Sequence, residues 1–130
     1  NLIESGKNYG WPAITYGIDY SGAVISPFTE MDGMEQPLKY WVPSIAPSDM
    51  IYYDGDLYPE LKNSFLITAL KSRDVKKIKK TNGLFSEESI FSNLKSRLRS
   101  IRVSPSGEIY LLTDGRKGKL IKVSITEIWT

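Results

Sequence analysis

The chain has 130 residues, 41% of them hydrophobic and 25% charged, and its 17 Lys+Arg against 15 Asp+Glu leave a net charge of only +2. That balance describes an ordinary globular chain with one core, and it lacks the basic footprint a nucleic-acid partner would need. No apolar run approaches the ~20 residues of a membrane helix, so membrane insertion is not expected either.

Residues 1–38 are dense in turn signals, among them Ser5-Gly6-Lys7-Asn8, Tyr9-Gly10-Trp11-Pro12, Tyr20-Ser21-Gly22 and Asp32-Gly33. Only Ala13-Ile14-Thr15-Tyr16 reads as a short strand, so residues 1–44 are expected to form a long, aromatic-lined loop excursion. Tyr40-Trp41-Val42-Pro43-Ser44-Ile45-Ala46-Pro47-Ser48 closes it. Each proline fixes its own φ and pushes the preceding residue, Val42 or Ala46, toward an extended conformation, which predicts a rigid turn opening into a strand.

From Ile45 the pattern changes to short strands: 49–53, 64–70, 74–79 and 88–91, then 98–103, 108–113 and 119–124. Asp54-Gly55, Lys71-Ser72-Arg73, Asn82-Gly83, Ser104-Pro105-Ser106-Gly107 and Asp114-Gly115 separate them, and no segment sustains a helical period. The lysines from Lys76 to Lys80 alternate with Val75 and Ile78 and read as a solvated strand edge.

The two strand sets repeat one another. Phe65-Leu66-Ile67-Thr68 aligns with Tyr110-Leu111-Leu112-Thr113 (110 − 65 = 45), whereas Ala46-Pro47-Ser48 aligns with Ser104-Pro105-Ser106 at a larger offset (104 − 46 = 58). The difference of 13 predicts an insertion at Asp54 to Asn63. A repeat of about 40–50 residues with four short antiparallel strands is the signature of a β-propeller blade. The expected fold is therefore all-β, a partial β-propeller: one domain, 1–130, with a four-stranded blade over 45–92 and a three-stranded final blade over 97–125. A small self-sufficient β-sandwich is the alternative, in which the repeat would be coincidence. Because propellers need about four to eight blades to close a ring, the chain is expected to be part of a longer protein, in keeping with its start at Asn1-Leu2-Ile3-Glu4 without methionine or signal peptide.

With no Cys and no His, the chain carries neither a thiolate or imidazole metal site nor Ser-His-Asp or Cys-His machinery. The acidic clusters Glu30/Asp32/Glu35 and Asp54/Asp56 lack the spacing of a calcium loop. Cations remain. Lys71 follows an apolar strand, and Arg97 and Arg99 stand two apart, so strand alternation puts both on one face. Like charges so placed call for an anion between them, either a bound carboxylate or phosphate or a carboxylate of the protein.

In this order, Asn8-Tyr9-Gly10-Trp11-Pro12, Glu35-Gln36-Pro37, Tyr40 to Ser48, Ala69-Leu70-Lys71, Arg97-Leu98-Arg99 and Ser104 to Asp114 resemble the closing part of the glucose/sorbosone dehydrogenases, and within them the aldose sugar dehydrogenase branch. The resemblance implies the closing blades of a six-bladed propeller that holds pyrroloquinoline quinone (PQQ) and calcium. It also implies oxidation of aldoses at C1 to lactones by hydride transfer to the quinone, in a periplasmic or secreted protein whose electron acceptor is unspecified. Lys71, Arg97 and Arg99 match family cations that meet the quinone, and Tyr40, Trp41 and Ser44 match the segment lining it. No catalytic residue falls in this chain, since the family's histidine base and its calcium ligands lie earlier. Asp49 stands where the family usually has a small residue and introduces a negative charge near the cofactor wall. The competing function is a non-catalytic propeller module of the hedgehog-interacting-protein kind.

Overall fold

The computed structural model describes residues 1–124; Ile125, the last residue of the expected final blade, lies outside them. The chain divides into two compact units, Asn1–Ile45 and the chain from Ala46 onward.

The first unit is built from turns. Ile18 and Val24 form an isolated bridge, and the expected strand at Ala13 to Tyr16 does not form. Instead Ile14 N–H donates to Gly10 O at 3.0 Å, and Thr15 N–H donates to Phe28 O at 3.1 Å, so these residues bend across the loop without alternating along a ladder.

Among the described residues the second unit holds seven antiparallel strands in two sheets. The first sheet runs in the order β1 (Pro47–Tyr53), β2 (Ser64–Ala69), β3 (Val75–Thr81) and β4 (Leu84–Ile90). The second contains β5 (Leu98–Val103), β6 (Ile109–Thr113) and β7 (Leu120–Lys122). Among the described residues the only helical pieces are the 3₁₀ turns Pro59–Leu61 and Ser92–Leu94.

Local chemistry explains where the elements differ from expectation. Asn82 (φ +52°) and Gly83 (φ +78°) form a two-residue turn with both central residues left-handed, the geometry that suits a tight hairpin. Thr81 and Leu84 therefore pair directly, and β4 starts at Leu84 rather than at residue 88. β4 is an edge strand, so the lysines of β3 lie inside the sheet and find cross-strand partners: Lys77 binds Glu88 at 3.2 Å and Lys76 binds Ser89 at 2.7 Å, while Lys76 also binds Asp74, just before its own strand, at 2.7 Å. Ala46 takes φ +54° rather than an extended conformation, because its carbonyl is turned to accept Leu70 N–H at 2.9 Å.

The repeat is also more regular than the turns suggested. Ile51 pairs with Leu66 and Ile101 with Leu111, so the first strands of the two sheets correspond at one offset (101 − 51 = 50) and the second strands at another (111 − 66 = 45). The connection between β1 and β2 is ten residues (63 − 53 = 10) and that between β5 and β6 is five (108 − 103 = 5). The insertion is thus five residues rather than thirteen. Ser104-Pro105-Ser106 belongs to the β5–β6 turn, whereas Ala46-Pro47-Ser48 leads into β1, so the two are not equivalent.

One apolar core joins the sheets: Tyr53, Tyr58, Leu61, Leu66 and Val75 from the first pack with Leu98, Ile101, Ile109 and Leu111 from the second. Polar bonds lock its rim. Tyr53 hydroxyl donates to Gly107 O at 2.8 Å and accepts Tyr58 N–H at 3.3 Å, while Tyr58 hydroxyl donates to Val123 O at 2.7 Å. A side chain on Gly55 would meet Tyr53 Oη at 2.8 Å, which requires glycine there. Ser48 Oγ donates to Leu98 O at 2.7 Å and shares a 2.8 Å bond with Thr68 Oγ1.

Asp49 completes this seam. Its carboxylate accepts Ser100 Oγ at 2.6 Å and Ile101 N–H at 3.0 Å, pairs with Arg102, and takes Met50 N–H at 2.9 Å. Partial burial alone would raise this carboxyl, but the bonds from Ser100, Ile101, Arg102 and Met50 outweigh it and hold the pKa at about 2, below the ordinary 3.8. A depressed carboxylate stabilises the fold above its unfolded pKa, and that contribution is lost as pH falls through the folded value. Asp49 is therefore expected to contribute on the order of 2 kcal/mol at neutral pH, lost between about pH 4 and pH 2. Urea unfolding of wild type and Asp49→Ala should differ by about that amount at pH 7 and converge near pH 2; a constant gap across that range would refute the assignment.

Candidate functional site

Three of the expected site residues lie in the second unit. Lys71 sits in the turn after β2, exposed, and among the described residues it makes no ion pair or side-chain hydrogen bond. Arg97 precedes β5, and Arg99 occupies a β-bulge between Leu98 and Ser100. The bulge breaks strict alternation, yet the two guanidinium groups are brought together by Asp114, the residue after β6. Arg97 Nε reaches Asp114 Oδ2 at 3.2 Å, and Arg99 reaches Oδ1 through Nε at 3.2 Å and Nη2 at 2.9 Å. Arg99 first and Arg97 next hold the Asp114 carboxyl below its usual range. The anion that the arginine pair called for is thus present within the protein. Asp114 engages mainly the Nε edges, which leaves both Nη groups of Arg97 and Nη1 of Arg99 as donors on side chains that are half exposed. Lys71 stands at the same end of the sheets, because the β2–β3 turn, the approach to β5 and the end of β6 all fall there in the antiparallel order.

In the sequence Asp114 stands in a turn and closes the Ser104 to Asp114 stretch, and neither position marks it as the partner of the arginines. The signal that could have found it is register, since a residue just past β6 must stand beside the start of β5.

The other three expected residues, Tyr40, Trp41 and Ser44, line one cavity of about 300 Å³ within the first unit. Tyr16 and Tyr40 stack face to face there, with ring centroids 3.8 Å apart and planes 8° from parallel. Tyr16 hydroxyl donates to Gln36 Oε1 at 2.8 Å, and Gln36 Nε2 donates to Thr29 O at 3.0 Å, so one amide fixes both the ring and the neighbouring loop. Desolvation, with the adjacent Tyr40 next, pushes the Tyr16 hydroxyl above its usual range. Lys39 Nζ lies 5.6 Å from the Trp41 ring centroid, a cation–π contact. Trp11, Thr15 and Glu35 complete the wall, and Glu35 pairs with Lys7 at 3.2 Å. A flat aromatic wall flanked by amide, hydroxyl and carboxylate groups suits a polar ligand with an apolar face. Gln36 and Tyr16 were not expected to take part.

A family model described as "Glucose / Sorbosone dehydrogenase" matches residues 1–122. The chain belongs to the glucose/sorbosone dehydrogenase family. It is 39% identical over 127 residues to aldose sugar dehydrogenase YliI of Escherichia coli (strain K12), a match covering 95% of this chain and 34% of that protein. It is 35% identical to the uncharacterized protein slr1608 of Synechocystis sp., over 95% of this chain and 30% of that one. Among solved structures, the soluble aldose sugar dehydrogenase of Escherichia coli in its apo-form matches with a TM-score of 0.86 at 38% identity, covering 95% of this chain and 37% of that one. A crystal structure of glucose dehydrogenase matches with a TM-score of 0.85 at 40% identity, over 93% of this chain and 36% of the other. The chain thus spans about a third of the length of these relatives, and its two sheets are blades of a partial β-propeller.

The first unit's cavity depends on Gly10. At φ +94° and with Ile14 Cγ1 2.1 Å from where a Cβ would stand, any side chain there collides with Ile14, which also lines the cavity. Gly10→Ala is expected to cost about 1–3 kcal/mol in left-handed strain and steric displacement. Thermal unfolding of the variant should show a lowered Tm, and unchanged stability would mean that this turn is not as tight as drawn.

Proposed function

We infer that this chain is part of a quinoprotein oxidoreductase that oxidises aldose sugars at C1 to lactones, with PQQ as hydride acceptor. Membership of a sugar dehydrogenase family supports the oxidoreductase class. The observation that supports the quinone is the donor set at one end of the sheets: Lys71, which has no ion pair among the described residues, and two arginines whose outer N–H groups remain available. A flat tri-carboxylate suits such a set, because guanidinium forks and an ammonium satisfy carboxylates through short charge-assisted bonds.

When bound, the quinone supplies the two-electron acceptor. The residues of this chain bind and orient. Within the second unit Lys71, Arg97 and Arg99 would hold the anionic rim, and Asp114 draws the two guanidinium groups together; within the first unit Tyr40, Trp41 and Ser44 line an aromatic and hydroxyl surface of their own. Calcium enters through the resemblance alone. Among the described residues no group of three or more His, Cys, Asp or Glu could hold a metal, and no ligand is assigned to it here. The chain has no histidine, so a histidine base taking the sugar's anomeric proton would belong to the rest of the parent, and a periplasmic or secreted parent is part of this proposal.

The second reading is a non-catalytic propeller module of the hedgehog-interacting-protein kind. One observation favours it: Asp114 already relieves the repulsion between Arg97 and Arg99, so an outside anion is no electrostatic necessity. Titration of the intact parent with PQQ separates the two readings. A charge-assisted bond contributes about 1.5–3 kcal/mol, so Lys71→Ala is expected to weaken quinone binding roughly ten- to a hundredfold. Failure of the parent to bind quinone at all would favour the module.

A second expectation concerns this chain alone. Supplied with quinone, calcium and an aldose, it should not reduce dye at a measurable rate, since it lacks a base worth about 10²- to 10⁴-fold and most of the positioning surface. Turnover comparable to the parent's would place the base among these 130 residues.

A further inference from the structure

The near-zero net charge conceals an uneven distribution along the strands of the second unit. Antiparallel order puts the β2–β3 turn, the segment from β4 to β5 and the β6–β7 turn at one end. Six exposed cations stand on these three loops: Lys71 and Arg73, Lys95, and Arg116, Lys117 and Lys119. Among the described residues none of the six has a carboxylate partner. The acids at this end, Asp74 and Asp114, are already engaged by Lys76 and by Arg97 with Arg99. The opposite end is balanced: Asp54, Asp56, Glu60 and Glu108 stand there with Lys62, Lys79, Lys80 and Lys122, and Asp56 pairs with Lys62 and Glu108 with Lys122.

We propose that the basic end is the docking face for an acidic electron-carrier protein, the oxidant of the enzyme. The proposal rests on the quinoprotein reading, which puts the cofactor at this same end beside Lys71. Oxidation of one aldose to its lactone releases two electrons and two protons. Two molecules of a one-electron carrier are then reduced per sugar, and the protons pass to solvent.

The spread of the charge selects a protein. The cations span loops of two sheets whose strands lie about 4.8 Å apart, wider than a small anion and on the scale of a protein patch of about 800 Å² per partner. Nucleic acid fits less well. These loops expose no aromatic side chain on which bases could stack, Phe91 being packed against the core. A basic end facing a balanced one also draws an incoming acidic partner to this face before contact, which raises its association rate.

The test uses the full-length parent loaded with quinone and calcium, and the charge reversal Arg116→Glu/Lys117→Glu/Lys119→Glu, three side chains outside the proposed cofactor set. Aldose-dependent reduction is followed with an uncharged dye and, separately, with an acidic cytochrome and a basic cytochrome. The reversal is expected to lower kcat/KM for the acidic cytochrome about 10- to 100-fold at low ionic strength, to leave dye reduction at the wild-type level, and to lose its effect at high salt. The neutral counterpart, Arg116→Gln/Lys117→Gln/Lys119→Gln, should fall between, and it replaces the reversal variant if that variant loses dye reduction through misfolding. An acidic-cytochrome rate that ignores charge reversal or salt, or equal loss with the basic cytochrome, overturns the docking face while intact dye reduction preserves the quinoprotein reading. Absence of dye reduction by the wild-type parent counts against that reading itself. Wild-type binding of a DNA duplex that the reversal abolishes, with cytochrome rates unchanged, would reassign the face to nucleic acid.

Discussion

A carboxylate held between two sheets is costly unless donors surround it, and Asp49 has them from three residues of β5 and one of its own strand. Because Ile101 N–H and Ser100 Oγ are fixed by the β5 backbone, their bonds to Asp49 allow only one relative placement of β1 and β5. Hydrophobic burial between the sheets supplies most of the driving force, but it is indifferent to small sliding motions. Directional bonds are not. Asp49, Ser48 and Tyr53 together set the register in which Leu98, Ile101 and Leu111 meet Tyr53 and Leu66. The ends of the strands follow from this register, and with them the loops that carry Lys71, Arg97 and Asp114.

This seam also explains the negative charge beside the expected cofactor wall. As a free charge, Asp49 would oppose an anionic ligand. Its carboxylate is instead directed at β5 and neutralised by Arg102, so its field is largely cancelled within the unit. Asp114 works by the same principle at the end of β6, drawing together two guanidinium groups that would otherwise repel. In both cases an acid organises cations.

Much of the fold was legible because it rests on local rules. Asn82-Gly83 marks the break between two strands, although the tight hairpin it forms brings β4 in at Leu84, earlier than its composition suggests, and the recurrence of Phe65 to Thr68 as Tyr110 to Thr113 reveals the repeated unit. What escaped depends on contacts between residues distant in sequence. The reach of Asp49 to Ser100 or of Tyr53 to Gly107 leaves no periodic trace. Ala46 escaped for a related reason: a local proline rule predicts extension, and a hydrogen bond from Leu70 overrides it. Similarly, the turn at Ser104 imitates the one at Ala46 in composition, but strand pairing shows that they serve different positions. In the candidate site, residue types identified the cations and the aromatics, whereas Asp114 and Gln36, which arrange them, become visible only through register and loop packing.

The two units embody different solutions to holding polar groups in place. In the second, the cations stand on loops fixed by antiparallel ladders, so their positions are inherited from the strands beneath them. The first has no sheet to inherit from. There Gly10 permits a left-handed turn tight against Ile14, Gln36 ties Tyr16 to Thr29, and the Tyr16–Tyr40 stack joins the two ends of the loop. Each link is modest, and side-chain bonds do what backbone ladders do elsewhere. A loop organised this way can present a planar aromatic surface with little conformational freedom left to lose, and preorganisation of that kind lowers the entropic cost of binding. The density of aromatics and glycines in residues 1–44 is therefore a requirement of building a rigid surface without strands.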